Sequence, residues 1–213
     1  MTPRILKINP REPSENAIEE AVKILEEGGI IVYPTDTVYG LGADPYNAEA
    51  VERIHIVKRR RGKPLPLLLS KPEIAGYYGE IGKKARRLIT EFWPGQLTII
   101  VALKAELPRN ITMGTGKIAL RVPDCAVARV LAEKLGGAII GTSANVSGAP
   151  SPRTAEEAVA QLDGKVDLVL DGGITRYKIS STIIDLTVEP PRIIRRGPIA
   201  PAEIESIIGA VRI

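Results

Sequence analysis

Apolar side chains along this chain recur with two periods, and the alternation between them is the first guide to its fold. In "SENAIEEAVKILEEGG" (14–29), Ile18, Val22 and Leu25 share one helical face, Ser14 stands where an N-cap belongs, and Gly28-Gly29 supply a stop. "GIIVYPT" follows, short, β-branched and ended by Pro34, which predicts a strand. Helical spacing returns in "NAEAVERIHIVKR" through Val51, Ile54 and Val57. The order then repeats: strand "LPLLLS", helix "KKARRLITEFW" stopped by Pro94-Gly95, strands "QLTIIVAL" and "IALRV", and helix "DCAVARVLAEKLGG" with Asp124 as cap. After strand "AIIGTS", Thr154 and Glu157 form a capping-box pattern on helix "TAEEAVAQLDG". Strands "VDLVLDGG", "STIIDLT" and "RIIRRG" and a closing helix "PAEIESIIGAV" complete the chain. Alternating elements predict an α/β core, and strands clustered in the second half predict a mixed parallel/antiparallel sheet flanked by helices. The irregular segments 104–117 and 144–153 read as substrate loops.

Composition narrows the function classes. With 213 residues and 44% hydrophobic side chains, one domain spanning 1–213 can bury its own core. Lys and Arg number 29 against 25 Asp and Glu, a formal charge of +4, which points to a local basic site and away from a wholly basic nucleic-acid coat. One cysteine, Cys125, and one histidine, His55, leave neither a disulfide framework nor a metal-binding cluster. The N-terminal stretch is broken by Pro3, Pro10 and Pro13, so neither a secretory signal nor a membrane span is expected and a cytoplasmic protein is.

Four stretches put polar or basic residues at the ends of apolar strands, where α/β sheets form ligand crevices. "YPTDTVYGLGADP" offers the Thr35 and Thr37 hydroxyls around Asp36, with glycines that permit close backbone approach. "VKRRRGKPLPLLL" sets five basic side chains among six positions and then turns apolar. Taken alone such a run reads first as a solvated face, with an RNA patch or a polyphosphate site as the alternatives, and no Walker-type glycine loop accompanies it. "AIIGTSANVSGAPSP" runs from a buried strand into hydroxyls and an amide, composition that suits either a surface loop or a pocket wall. Arg121 within "IALRVP" has to be paired or to bind an anion, and Ser181 and Arg195 stand at the ends of late strands. His55 and Cys125 have no partner in sequence that would make either catalytic, and Trp93 reads as a helix end packed on the core.

Together, "YPTDTVYGLGADP", the Lys58/Arg60 pair before "KPLPLLL", "FWPGQLTIIV", "IALRVP", "GTSANVSG", "STIID" and "IIRRGPI" resemble the YrdC/Sua5 family of threonylcarbamoyl-AMP synthases over nearly the whole chain. The resemblance implies a YrdC-like twisted mixed sheet around a concave basic cavity, in the short form without a C-terminal Sua5 domain. It implies a nucleotidyltransferase that joins L-threonine, bicarbonate or CO2, and ATP into threonylcarbamoyl-AMP and pyrophosphate, for N6-threonylcarbamoyladenosine at position 37 of tRNA. Lys58 and Arg60 are then the catalytic pair. ATP contacts fall on Lys58, Arg60, Lys63, Lys117, Ser143, Asn145, Ser151 and Arg195, and threonine contacts on Thr35, Thr37, Arg121, Gly141 and Ser181. Mg²⁺ is implied with ATP, held mainly through its phosphates and with no metal site on the protein. The implied partners are tRNA or double-stranded RNA and a downstream tRNA threonylcarbamoyltransferase complex, with no membrane.

Departures from the family pattern are local. Lys58 to Pro64 is one residue shorter than the usual spacing, which bears on Lys63; Leu68 stands where some relatives carry a histidine toward threonine; and "YKISSTI" replaces a Gly-Val-Glu run while keeping Ser181. Arg59 and Arg61 read as surface charge. Two rival readings remain: a non-catalytic RNA-binding module, against which an aromatic content of 4% counts, and a carbamoyl-transfer module like that of hydrogenase-maturation proteins, against which the lack of acylphosphatase and zinc-finger-like regions counts.

Overall fold

Strand pairing distributes the apolar runs over two mixed sheets. The computed structural model describes residues 3–60 and 62–213, so the surface-charge reading of Arg61 lies outside the described residues. In chain order the elements are β1 (Arg4–Lys7), α1 (Glu15–Glu26), β2 (Ile31–Tyr33), β3 (Gly40–Gly42), α2 (Ala48–Val57), β4 (Leu67–Leu69), α3 (Ala75–Tyr78), α4 (Lys83–Phe92) and β5 (Leu97–Ala102). They continue with α5 (Arg109–Thr112), β6 (Lys117–Arg121), α6 (Ala126–Lys134), β7 (Ala138–Ile140), β8 (Thr142–Ser143), α7 (Ala155–Gln161), β9 (Leu168–Asp171), β10 (Thr182–Asp185), β11 (Arg192–Arg195) and α8 (Pro201–Ile208). One sheet has the order β1-β9-β2-β3-β8 and the other β11-β10-β5-β6-β4-β7. Each mixes parallel and antiparallel neighbours: β5 runs parallel to β10 and antiparallel to β6.

The two-residue period of a strand decides which core each side chain enters. In β4, Leu67 and Leu69 join the larger core while Leu68 joins the smaller one, which packs under α1 and α6. In β7 the same split sends Ala138 and Ile140 one way and Ile139 the other. The helices follow their predicted faces: Ile18, Ala21 and Leu25 of α1 meet Val127, Ala128 and Leu131 of α6 in the smaller core.

Four local expectations change. The single mixed sheet is two, because β8, only two residues long, leaves β7 and pairs with β3. β1 escapes the sequence pattern: Pro3 precedes it and Pro10 follows it, but β9 supplies parallel partners from Arg4 to Lys7. β3 escapes it because two of its three residues are glycine; a Cβ on Gly42 would stand 2.5 Å from the Tyr33 ring, so glycine lets that buried ring lie across the strand. The cap of α6 is Cys125, since the Asp124 carboxylate turns outward to Arg176 at 2.6 Å. Ser14 does cap α1, although only through its backbone carbonyl, which accepts from Ile18 N. Thr154 caps α7 by accepting from Glu157 N at 3.2 Å, while the Glu157 carboxylate reaches Arg153 N, one residue earlier than a reciprocal box requires.

Candidate functional site

A cavity of about 350 Å³ opens between the two sheets. Strand alternation builds its floor: Thr98 and Ile100 of β5, Ala119 and Arg121 of β6, Ile183 of β10 and Ile194 and Arg195 of β11 line it, while Ile99, Leu120 and Ile184 face the core. The other sheet contributes Thr35, Thr37 and Val38 to Gly40, and the segment after α2 contributes Arg60, Lys63 and Pro64. No residue of 104–117 or 144–153 lines it, so the expectation that these segments are substrate loops is not met by the cavity wall.

Hydrogen bonding orients the polar lining. Thr35 Oγ1 accepts from the backbone N–H groups of Thr37 and Val38, and donates its only proton to the Val38 carbonyl at 2.6 Å. At the 3.0 Å contact between the two hydroxyls, Thr37 must therefore be the donor. Thr37 Oγ1 also accepts from Arg121 at 2.8 Å. The Arg121 guanidinium donates further to the Gly95 carbonyl at 2.7 Å and forms a buried ion pair with Asp36. Asp36 accepts from Gln96 as well, at 3.2 Å. Across the cavity, Ser181 Oγ accepts from Arg195 at 3.1 Å and lies 2.8 Å from Thr98 Oγ1, and Arg195 Nε donates to the Ser181 carbonyl.

Arg60 donates to the carbonyls of Lys63 and Pro64, at 3.2 and 2.7 Å, and all three residues line the cavity. Lys58 takes a different place. Its side chain is 1% exposed, outside the lining, and its amine donates to the carbonyls of Ser143 and Asn145. Its own carbonyl accepts from Ser147 N. Lys58 thus ties the end of α2 to the 143–147 turn, where Ser143 Oγ donates to Asn145 Oδ1 at 2.5 Å. The Asn145 amide in turn donates to the carbonyls of Val146 and Ala149.

Lys58, Arg60 and Arg195 are crowded together and largely buried. Burial, and then the charge of Arg60, lower the Lys58 ammonium to about 7. Burial lowers Arg60 too. Arg195 is lowered to about 10, by burial first and then by Arg121 and Arg60. Among the described residues neither Arg60 nor Arg195 has an ion-pair partner, and no carboxylate lines the cavity. Such an arrangement favours a ligand with several negative charges, because each anionic oxygen offsets cation repulsion inside a low-dielectric cleft.

The structure brings Thr35, Thr37, Arg60, Lys63, Arg121, Gly141, Ser143, Ser181 and Arg195 into this one lining. Lys58 and Asn145 stand immediately behind it. Ser151 lies one hydroxyl away, 2.9 Å from Ser180, and Lys117 is ion-paired with Asp185 at 3.0 Å. His55 is turned from the cavity, its Nε2 2.8 Å from the Asn110 carbonyl, and Trp93 Nε1 donates to the Leu97 carbonyl within the core. Sequence reasoning passed over three participants: Asp36, Thr98 and Ser180. Asp36 left a signal, since an arginine in an apolar strand requires a buried anion and "PTDT" supplies one among candidate site residues. Thr98 left a weaker one, as the polar position in "QLTIIVAL".

A family model spanning Sua5, YciO and YrdC, described as "Telomere recombination", matches residues 23–197. The chain belongs to the Sua5/YciO/YrdC family. Among relatives, the Pyrococcus abyssi protein named threonylcarbamoyl-AMP synthase is 39% identical over 97% of this chain and 62% of its own length. The Bacillus subtilis protein of the same name is 36% identical over 92% of this chain and 58% of its own length. This family member therefore spans about three fifths of each of those two relatives. Its fold matches P. abyssi Sua5, solved in complex with L-threonine, with a TM-score of 0.91 and 38% identity over 97% of this chain and 62% of that one. It matches Escherichia coli YciO with a TM-score of 0.87 and 31% identity over 96% of this chain and 100% of that one. The YrdC-like mixed α/β architecture is therefore shared with both. No helix of the described residues is long and apolar enough to cross a membrane.

Proposed function

We propose that this family member is a nucleotidyltransferase, an L-threonylcarbamoyladenylate synthase that joins L-threonine, bicarbonate or CO2, and ATP, acting in the cytoplasm. The observation that carries the reading is a cavity that, among the described residues, holds no carboxylate in its lining and in which the unpaired Arg60 and Arg195 accompany a hydroxyl and guanidinium cluster of Thr37, Arg121 and Ser181. The first half suits a triphosphate and the second the carboxylate and hydroxyl of a small amino acid. Relatives named threonylcarbamoyl-AMP synthase, and a Sua5 structure solved with L-threonine, support the choice of L-threonine as substrate.

In the proposed reaction the threonine amine takes up CO2 and loses a proton to give a carbamate. A carbamate oxygen attacks the α-phosphate in line, the bond to the β-phosphate breaks, and pyrophosphate leaves with the electron pair. No protein nucleophile takes part, so catalysis rests on positioning and charge stabilisation. Arg60 and Arg195 hold phosphate oxygens, Lys63 adds charge at the mouth, and Arg121 orients the threonine carboxylate. Lys58 acts by fixing Ser143 and Asn145, while Ser151 and Lys117 serve at the margin, each after giving up its present partner. Mg²⁺ supplies charge neutralisation when bound; a lining with hydroxyls and no carboxylate fits a cation carried in on phosphate oxygens. The adenylate would pass to a tRNA threonylcarbamoyltransferase complex.

Incubation of the full chain with ATP, Mg²⁺, bicarbonate and L-threonine tests this reading. Mass detection of the adenylate and threonine-dependent release of pyrophosphate are expected. Folded protein that releases none, and instead binds RNA with a steep salt dependence, overturns it in favour of an RNA-binding module.

A further inference from the structure

A second cavity, of about 540 Å³, shares the Thr35 wall with the first. Three guanidiniums line it from three segments: Arg11 before α1, Arg129 within α6 and Arg176 before β10. Two carboxylates accompany them, but Asp36 is spent on Arg121, which leaves Asp124, an exposed partner of Arg176. Among the described residues Arg11 and Arg129 form no ion pair, and Arg129 Nε is buried without a hydrogen-bond partner. The nine-residue α6 begins at the same wall with Ala126; its first turn holds no acid, and its cap Cys125 makes no capping bond. Thr175, 4% exposed, lines the cavity and its Oγ1 has no partner either. Gly172 keeps the walls together, for a Cβ there would stand 2.8 Å from Pro10 and 2.9 Å from Pro34.

We propose that this cavity is a second anion site, which takes a small phosphoryl oxyanion, inorganic phosphate or pyrophosphate. Guanidinium forks on separate segments can each face a different oxygen of a tetrahedral group, and the helix start adds backbone N–H donors and a favourable dipole. A single carboxylate ligand could satisfy only part of this donor set. The incoming anion replaces Asp124 on Arg176 and engages Arg11 and Arg129. The expectation of two classes of site rests on the proposed phosphate role of Arg195 in the first cavity, whereas the second site is judged by the class that Arg11 and Arg176 control, so the two readings fail separately.

The test is calorimetric titration of the full chain with inorganic pyrophosphate and, separately, orthophosphate. Two classes of site are expected. Arg11→Gln/Arg129→Gln should weaken one class by about tenfold or more and leave the class that depends on Arg195 in place. Arg11→Gln/Arg176→Gln, at two exposed positions, makes the same prediction without disturbing a half-buried side chain. Asp124→Asn should tighten the same class by about threefold by removing the internal competitor. Tighter binding of pyrophosphate than of orthophosphate identifies a diphosphate site, and comparable binding a monophosphate one. A single class that Arg195→Gln abolishes, or two classes unaltered in both double variants, overturns the proposal.

Discussion

Arg121 and Asp36 form an ion pair between the two sheets: the arginine ends β6 of one, the aspartate follows β2 of the other, and their side chains are 6% and 1% exposed. The pair therefore joins the walls of the cavity as well as orienting one of them. Asp36→Asn leaves Arg121 buried without its counter-charge, which should cost about 3–5 kcal/mol of stability. Urea unfolding measures that loss. Asp36→Asn/Arg121→Gln should lose less than the sum of the two single changes, and strict additivity would contradict the bridge.

Among the described residues Arg60, Lys63 and Arg195 line the cavity without a carboxylate partner, and the two arginines, whose guanidiniums are partly buried, are the ones whose removal a polyphosphate should feel most. Arg60→Ala and Arg195→Ala should each weaken ATP binding by about tenfold to a hundredfold, an effect of the size expected for a charge-assisted contact. Threonine binding should change less in Arg60→Ala than in Arg195→Ala, because Arg195 also holds Ser181. Equilibrium titration of each ligand separates the two.

Ser181 accepts from Arg195 and adjoins Thr98, so its hydroxyl faces the proposed amino-acid half. Ser181→Ala should weaken threonine by about tenfold while ATP affinity stays within about threefold. Equal losses for both ligands would remove Ser181 from the threonine subsite.

Lys58 makes stability depend on pH. Its ammonium falls from an ordinary 10.5 to about 7 in the folded chain, so between those values the unfolded state binds more protons than the native one. Folding stability contributed by this group therefore rises with pH across that window. The stability difference between the wild type and Lys58→Met, read from urea midpoints, should grow as pH increases from about 7 toward 10.5. A difference independent of pH would show that the amine stays charged.

Gly141 is required by its neighbour and not by its own backbone angles. A Cβ there would stand 2.1 Å from Leu68 Cγ, in the wall of the cavity. Gly141→Ala should destabilise by about 1–3 kcal/mol, the cost of overpacking, and that added cost should largely vanish when the same change is made in a Leu68→Ala background, which carries its own core-cavity penalty. Thermal unfolding of the single and double variants completes the cycle.

Much of this molecule was legible before its fold. The periods of the apolar runs located α1, α2, α4, α6, α7 and α8 and the strands they alternate with, because burial of one face is a local property of the sequence. Short polar motifs likewise marked Thr35, Thr37, Arg60, Arg121, Ser143, Ser181 and Arg195, which meet in one cavity. β1 and β3 were not legible, since a strand flanked by prolines and one made largely of glycine owe their existence to partners far away in sequence.

Sequence by itself determined the α/β class, the basic run after α2 and the need of Arg121 for an anion. Only the tertiary structure decided that the sheets are two, that Asp36 meets that need, and that the basic run divides between two uses. Arg60 turns into the cavity, whereas Lys58 is buried on the carbonyls of Ser143 and Asn145. Neighbours two residues apart at a helix end leave it in different directions, and which of them meets solvent, backbone or ligand depends on the chain packed against them, some 85 residues further on in the case of Lys58.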